Sequence, residues 1–185
     1  NESATAKPVV GRLNPDDVSG PVGEESELQA RYKPVSNFQS VNTLVPVNLQ
    51  NPIKEALQTL SKKVKDTLEN FVAKKLGYKS SKELINPDGR SILSAEQIDA
   101  VSLAINAIEN GGGVIIADQT GVGKGRSAAA CIAYASKTDN IPIFLTEKAS
   151  LFSDIYRDLR AIREEKLRPF IFNSDGRMEY SDAAG

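Results

Sequence analysis

The stretch Gly113-Val114-Ile115-Ile116-Ala117-Asp118-Gln119-Thr120-Gly121-Val122-Gly123-Lys124-Gly125-Arg126 narrows the choice of fold more than any other part of the chain. A short apolar run enters a turn with alternating glycines, and a helical pattern begins at once on the far side. Such a strand, turn and helix aim several backbone N–H groups at one spot, with the positive end of a helix dipole behind them. Gly121 and Gly123 let the main chain come close, and Lys124 supplies a charge that can reach across. This is how a phosphate-binding loop is built, and the ligand it predicts is the β- and γ-phosphates of a nucleotide.

The pattern downstream alternates. Strands are predicted over Val114 to Ala117, Ile141 to Leu145 and Pro169 to Phe172, with helices over Lys124 to Ser136 and Ser150 to Ile162 between them. Alternation of this kind predicts an α/β fold, a parallel sheet with crossover helices. Three strands are too few for a complete doubly wound domain, so the sheet is expected to continue in further polypeptide.

Upstream, three kinds of segment follow one another. Residues 1–30 are rich in Glu, Ser, Gly, Pro and Asp and bury too little to offset ordering entropy, which predicts a flexible arm. From Arg31 to Pro52 isolated apolar residues punctuate a polar background, as in an extended segment draped over a surface, and Pro34, Pro46 and Pro52 argue against helix. Ile53 to Leu76 has helical period with Gly77 as its C-cap. A short helix opens at Ser80 or Ser81, and Asn86-Pro87-Asp88-Gly89 is a turn that marks a boundary. Ser94, with Gln97 three residues on, opens a further helix that Gly111 closes. The expected division is a flexible arm over 1–30, an extended and helical N-terminal element over 31–90, and the first part of a P-loop domain over 91–185.

Composition excludes several chemistries. The chain has 185 residues with no histidine and one cysteine, Cys131, which removes zinc sites, histidine triads and an internal disulfide framework. A formal charge of −1 argues against nucleic-acid binding by bulk charge. The lysines over 54–75 are interleaved with Glu55, Asp66 and Glu69, the pattern of a solvated helix face. No stretch approaches the roughly 20 apolar residues of a membrane span, and the start at Asn1-Glu2-Ser3 has no secretory pattern, so a fragment or processed product in a reducing cytoplasm is expected.

The loop departs from the common form G-x-x-x-x-G-K-[ST] at two places, Asp118 and Gly125. Gly125 matters because the hydroxyl that ordinarily follows the lysine ligates Mg²⁺; Thr120, Ser127 or a water are the candidates to replace it. The series from Asp118 to Lys124 resembles the D-E-x-G-x-G-K form of motif I in superfamily 2 helicases and Swi/Snf-type translocases, where an acidic first position is usual. With Gly125 and Arg126 it resembles more narrowly the strawberry notch family and phage anti-restriction helicases, including methylase–helicase fusions. The resemblance runs from about Tyr32 to Phe172 and implies an incomplete RecA-like P-loop domain that binds ATP and Mg²⁺ through Asp118, Gln119, Thr120, Gly121, Val122, Gly123, Lys124, Gly125 and Arg126.

Two further segments carry the same resemblance. Leu93 to Val101 is similar to the segment before motif I whose glutamine reads adenine, which implies that role for Gln97, an amide able to donate and accept at once. Ile143 to Leu159 sits where such helicases carry motif Ia, which implies nucleic-acid backbone contacts by Thr146, Lys148 and Ser150. The carboxylates that hold Mg²⁺ and orient water lie in that family beyond the third strand, so no catalytic residue is expected within this stretch and the fragment alone is expected to be inactive. The resemblance implies DNA as a partner of the parent protein, together with the remainder of the helicase polypeptide and with virion or methyltransferase components. It also implies a bacterial cytoplasm, or packaging in a phage virion. A docking role, with an incomplete or vestigial loop and the segment before Pro52 bound to a partner, stays open beside it.

Overall fold

A computed structural model describes residues 25–116, 123–168 and 170–172. It is helix-rich. Strands β1 (Gln29–Arg31) and β2 (Leu44–Pro46) pair antiparallel, with Ala30 opposite Val45. Helices α1 (Val47–Val64) and α2 (Leu68–Lys75), a 3₁₀ turn (Ser81–Leu84), and helices α3 (Ala95–Glu109), α4 (Lys124–Ser136) and α5 (Ser150–Ala161) follow in order. One core joins them, with Leu57 and Leu60 of α1, Val72 of α2, Ile98 and Val101 of α3, Ala130 of α4 and Ile155 of α5 all buried.

Local chemistry explains most boundaries. Gly77, at φ +84, closes α2 as the helix-ending pattern requires: its N–H donates to the Lys74 carbonyl and that of Tyr78 to the Ala73 carbonyl. The Asn86–Gly89 turn closes with Gly89 N–H on the Asn86 carbonyl, and Ile85 bridges Ser91 across it. Ser94 caps α3 in a full capping box with Gln97.

Four expectations are corrected. Pro52 lies inside α1 rather than excluding helix before Ile53. It falls near the helix start and, like Asn48 four residues before, on the exposed side, so water can satisfy the orphaned Asn48 carbonyl. The single helix expected from Ile53 to Leu76 is two. Lys65 turns left-handed at φ 53, Asp66 Oδ1 accepts the Thr67 N–H, and Thr67 caps α2 through Asn70 N–H, so side-chain caps outcompete one more helical turn.

The third correction concerns the start of the chain: within the part expected to lack fixed structure, Gln29 and Ala30 belong to β1. Their partner strand β2 supplies the order that composition alone does not. Residues 1–24 lie outside the described residues.

The fourth concerns the parallel sheet, which is not formed among the described residues. Residues 114–116, 141–145 and 170–172 carry no strand pairing, and Ala117 and Pro169 lie outside the described residues. Burial still alternates along 141–145: Pro142 and Phe144 are partly covered, whereas Ile141, Ile143 and Leu145 are at least 77% exposed. A strand's side chains are buried on both faces only when neighbours and a second layer cover them, and that cover is absent among the described residues.

The extended segment after β1 lies on the chain's own helices. Asp99 of α3 accepts from Tyr32 Oη, Val35 N–H and Ser36 N–H at 2.8, 2.8 and 3.0 Å. Glu69 of α2 accepts from the Ser36 hydroxyl at 2.8 Å and from Asn37 N–H, while Glu96 of α3 accepts from Ser40 and Val41. Glu69 and Glu96 stand in the first turns of their helices, where a carboxylate also suits the helix dipole.

Candidate phosphate-binding site

The site is organised by α3 and α4. Gln97, near the start of α3, receives the Ser94 N–H on Oε1 at 2.9 Å and donates from Nε2 to the Gly123 carbonyl at 3.2 Å. At the other end of the same pair of helices, Tyr134 Oη donates to Glu109 at 3.0 Å. The two helices therefore run side by side in the same direction, and the first turn of α4 is registered on the capped first turn of α3.

Gly123 is the N-cap of α4 at φ +75, a backbone state that disfavours any side chain. A Cβ there would also overlap the Gln97 amide. Lys124 opens the helix and is exposed. The Gly123 carbonyl accepts the Arg126 N–H at 2.9 Å, so the first helical turn is closed. The start of this helix, with the positive end of its dipole and Lys124, is the feature an anion would meet.

Gly125 is held from the other side. A Cβ on Gly125 would fall on Oδ2 of Asp158, a residue of α5 with only 7% of its surface exposed. The packing of α5 on α4 turns Asp158 inward. Arg157 places Nη2 3.7 Å from Asp158 Oδ1 and donates from Nη1 to Asp154 Oδ1 at 2.9 Å. Ser127, two residues after Gly125, is buried, and its hydroxyl has no hydrogen-bond partner among the described residues.

Of the residues expected at the nucleotide, Gln97, Gly123, Lys124, Gly125 and Arg126 lie at this helix start, and Ser127 is in the same opening stretch of α4. Asp118, Gln119, Thr120, Gly121 and Val122 lie outside the described residues. Tyr78, after the end of α2, donates its hydroxyl to the Ile162 carbonyl at 2.9 Å, where burial raises its pKa above the ordinary tyrosine value. Thr146, Lys148 and Ser150 form the entry to α5: the Thr146 hydroxyl accepts the Lys148 N–H at 3.3 Å, and Ser150 is the first helical residue. No side chain caps α5. Cys131 is partly buried in α4, and burial pushes its thiol up to about 11, out of the range of a reactive thiolate.

The glycine turn, the lysine at a helix start and the preceding capped helix are the parts of one known construction. A family described as P-loop containing NTP hydrolase pore-1 matches residues 63–182, more than half of the chain. The chain belongs to this family of P-loop NTPases. No curated protein and no solved structure matches it. Membership of a P-loop family implies a nucleotide ligand, and usually Mg²⁺ with it. No helix among the described residues of this P-loop NTPase is long and apolar enough to cross a membrane.

The donor set can be tested against that metal. Among the described residues there is no cluster of carboxylates, cysteines or histidines that would hold a metal unaided. Mg²⁺ in P-loop NTPases is shared between a few protein oxygens and the phosphates themselves, so such a cluster is not required. The Asp158 carboxylate lies against Gly125, the residue after Lys124, and offers the hard oxygen that Mg²⁺ takes. The residues present fit the group.

Proposed function

We propose that this chain binds Mg·ATP through residues 118–125 and forms the first nucleotide-binding portion of an ATP-driven DNA helicase or translocase of superfamily 2, of the strawberry notch and phage anti-restriction kind. One observation carries the reading: Gln97, the residue before the loop, is bonded through its side chain to the last residue of the glycine turn, immediately before Lys124. In the helicase pattern that glutamine and the loop face the same nucleotide, and here they share a hydrogen bond. The Gln97 amide accepts the Ser94 N–H on Oε1 and donates from Nε2 to the Gly123 carbonyl, which ties the start of α3 to the loop.

The helix start and Lys124 would hold the β- and γ-phosphates. Thr146, Lys148 and Ser150 at the start of α5 would meet a DNA phosphate, since hydroxyls, a lysine and the positive end of a helix dipole suit it. Hydrolysis would need a water-orienting carboxylate and a second lobe, for which the described residues offer no assembled site. Strand movement and any link to restriction or methylation would be properties of the complete enzyme.

Titration of a fluorescent ATP analogue should give saturable binding that Lys124→Ala weakens by about tenfold or more, since a charge-assisted phosphate contact is lost. Absence of saturable binding in the unaltered chain would turn the argument to the second reading, a docking component with an incomplete loop. The observation favouring that reading is the exposed apolar series Ile141, Ile143, Leu145, Phe170 and Phe172, which suits cover by other protein.

A further inference from the structure

The residue after the P-loop lysine is ordinarily Ser or Thr, and here it is Gly125. Nothing in the backbone demands glycine at this position: of the two glycines beginning α4, only Gly123 has a positive φ. A Cβ here would overlap Asp158 Oδ2, so a side chain at this position and Asp158 in its present rotamer compete for the same space. A serine or threonine hydroxyl in this position would hang from that same Cβ. The Asp158 oxygen therefore stands close to where the missing hydroxyl oxygen would be, delivered from α5 instead of from α4.

We propose that Asp158 replaces the P-loop hydroxyl as the protein's oxygen ligand toward the Mg²⁺ of bound nucleotide, and that Gly125 is glycine to admit it. This rests on the nucleotide-binding reading above. The Asp158 carboxylate has the largely exposed Arg157 guanidinium 3.7 Å away, which offsets only part of its repulsion of phosphates received at the same helix start. A divalent cation between the two reverses the sign, because each anion then faces the metal. Asp158 thus makes the site select metal-bound nucleotide over free nucleotide, which a neutral hydroxyl does more weakly. Its place on α5 has a further consequence. That helix opens at Thr146, Lys148 and Ser150, the residues proposed for DNA, so a shift of α5 on nucleic-acid contact would move the metal ligand directly.

The decisive measurement is ATP-analogue affinity with excess Mg²⁺ and with excess EDTA, for the unaltered chain and for Asp158→Asn, which keeps the shape of the side chain. The expected result is opposite signs: Mg·ATP binding weaker by about tenfold or more, and metal-free ATP binding tighter by roughly a few-fold once the repulsion is gone. Equal shifts in the same direction, or none in either condition, would overturn the assignment and leave Asp158 as packing. If Asp158→Asn fails to fold, judged by its thermal midpoint without nucleotide, the double change Gly125→Ser with Asp158→Ala decides. It restores the ordinary hydroxyl in the vacated space and should recover Mg²⁺-dependent binding; failure to recover it counts against the proposal. If the unaltered chain binds no ATP in either condition, the nucleotide reading itself falls, an outcome distinct from wild-type binding that Asp158→Asn leaves unchanged.

Discussion

The segment from Tyr32 to Glu109 and the segment from Gly111 to Phe172 have similar alternations of apolar and polar residues but different fates. In the first, an extended stretch lies across α2 and α3, its N–H groups taken by Asp99, Glu69 and Glu96, and its apolar residues Phe38 and Leu44 are buried. In the second, α4 and α5 pack on the same core, yet the apolar residues Ile115, Ile143 and Phe170 before, between and after them face outward. The difference is where the partners are. A helix completes its hydrogen bonds within itself and needs only one covered face, whereas an isolated strand needs neighbours along both edges.

The contrast breaks first in the core. Leu57→Ala, at a position with no exposed surface, should cost about 3 kcal/mol of unfolding free energy or more, read as a lowered urea midpoint. Next comes the clasp on the extended stretch. Asp99→Ala leaves Tyr32 Oη, Val35 N–H and Ser36 N–H without this acceptor and should cost about 2 kcal/mol, with increased amide exchange concentrated over residues 32–36.

Asp99 also predicts a pH dependence. Burial raises its carboxyl from 3.8 to about 7, against the opposing pull of the Val35, Tyr32 and Ser36 donors. The folded form therefore holds the proton more tightly than the unfolded one. The resulting stabilisation is full below pH 3.8 and disappears as the pH rises through about 7. Relative to the unaltered protein, Asp99→Asn should show a flatter dependence of stability on pH across that window, and an unchanged slope would show that the carboxylate is not coupled to folding.

The smallest effect is expected on the other side of the comparison. Ile143→Thr, at a site 77% exposed, should change stability by less than about 0.5 kcal/mol. A loss as large as that for Leu57→Ala would mean the outer face is already covered in solution.

The helices were legible because their signals are local. Ser94 with Gln97, the series from Lys124 to Ser136, the Asn86–Gly89 turn and Gly77 each act within a few residues. Pro52 was misleading for the opposite reason: a proline excludes helix only where its missing donor cannot be replaced, and exposure near a helix start allows replacement. The break at Lys65 was hidden in an unbroken apolar stripe, though Asp66 and Thr67, two capping residues in succession, were a signal that could have shown it. The glycine turn and Lys124 stood out by spacing; Asp158 did not, because it is more than thirty residues from Gly125 and sits in an ordinary amphipathic helix.

By itself the chain's order of residues determined where helices start and stop and that a lysine follows a glycine turn at the head of one of them, since capping and backbone freedom are decided by near neighbours. Only the tertiary structure decided that Glu69, Glu96 and Asp99 face inward to hold a stretch of backbone, and that Asp158 fills the space beside Gly125. The reason is physical: whether a carboxylate is a solvated surface group or a buried ligand depends on which distant segment arrives to desolvate it and what that segment offers in exchange.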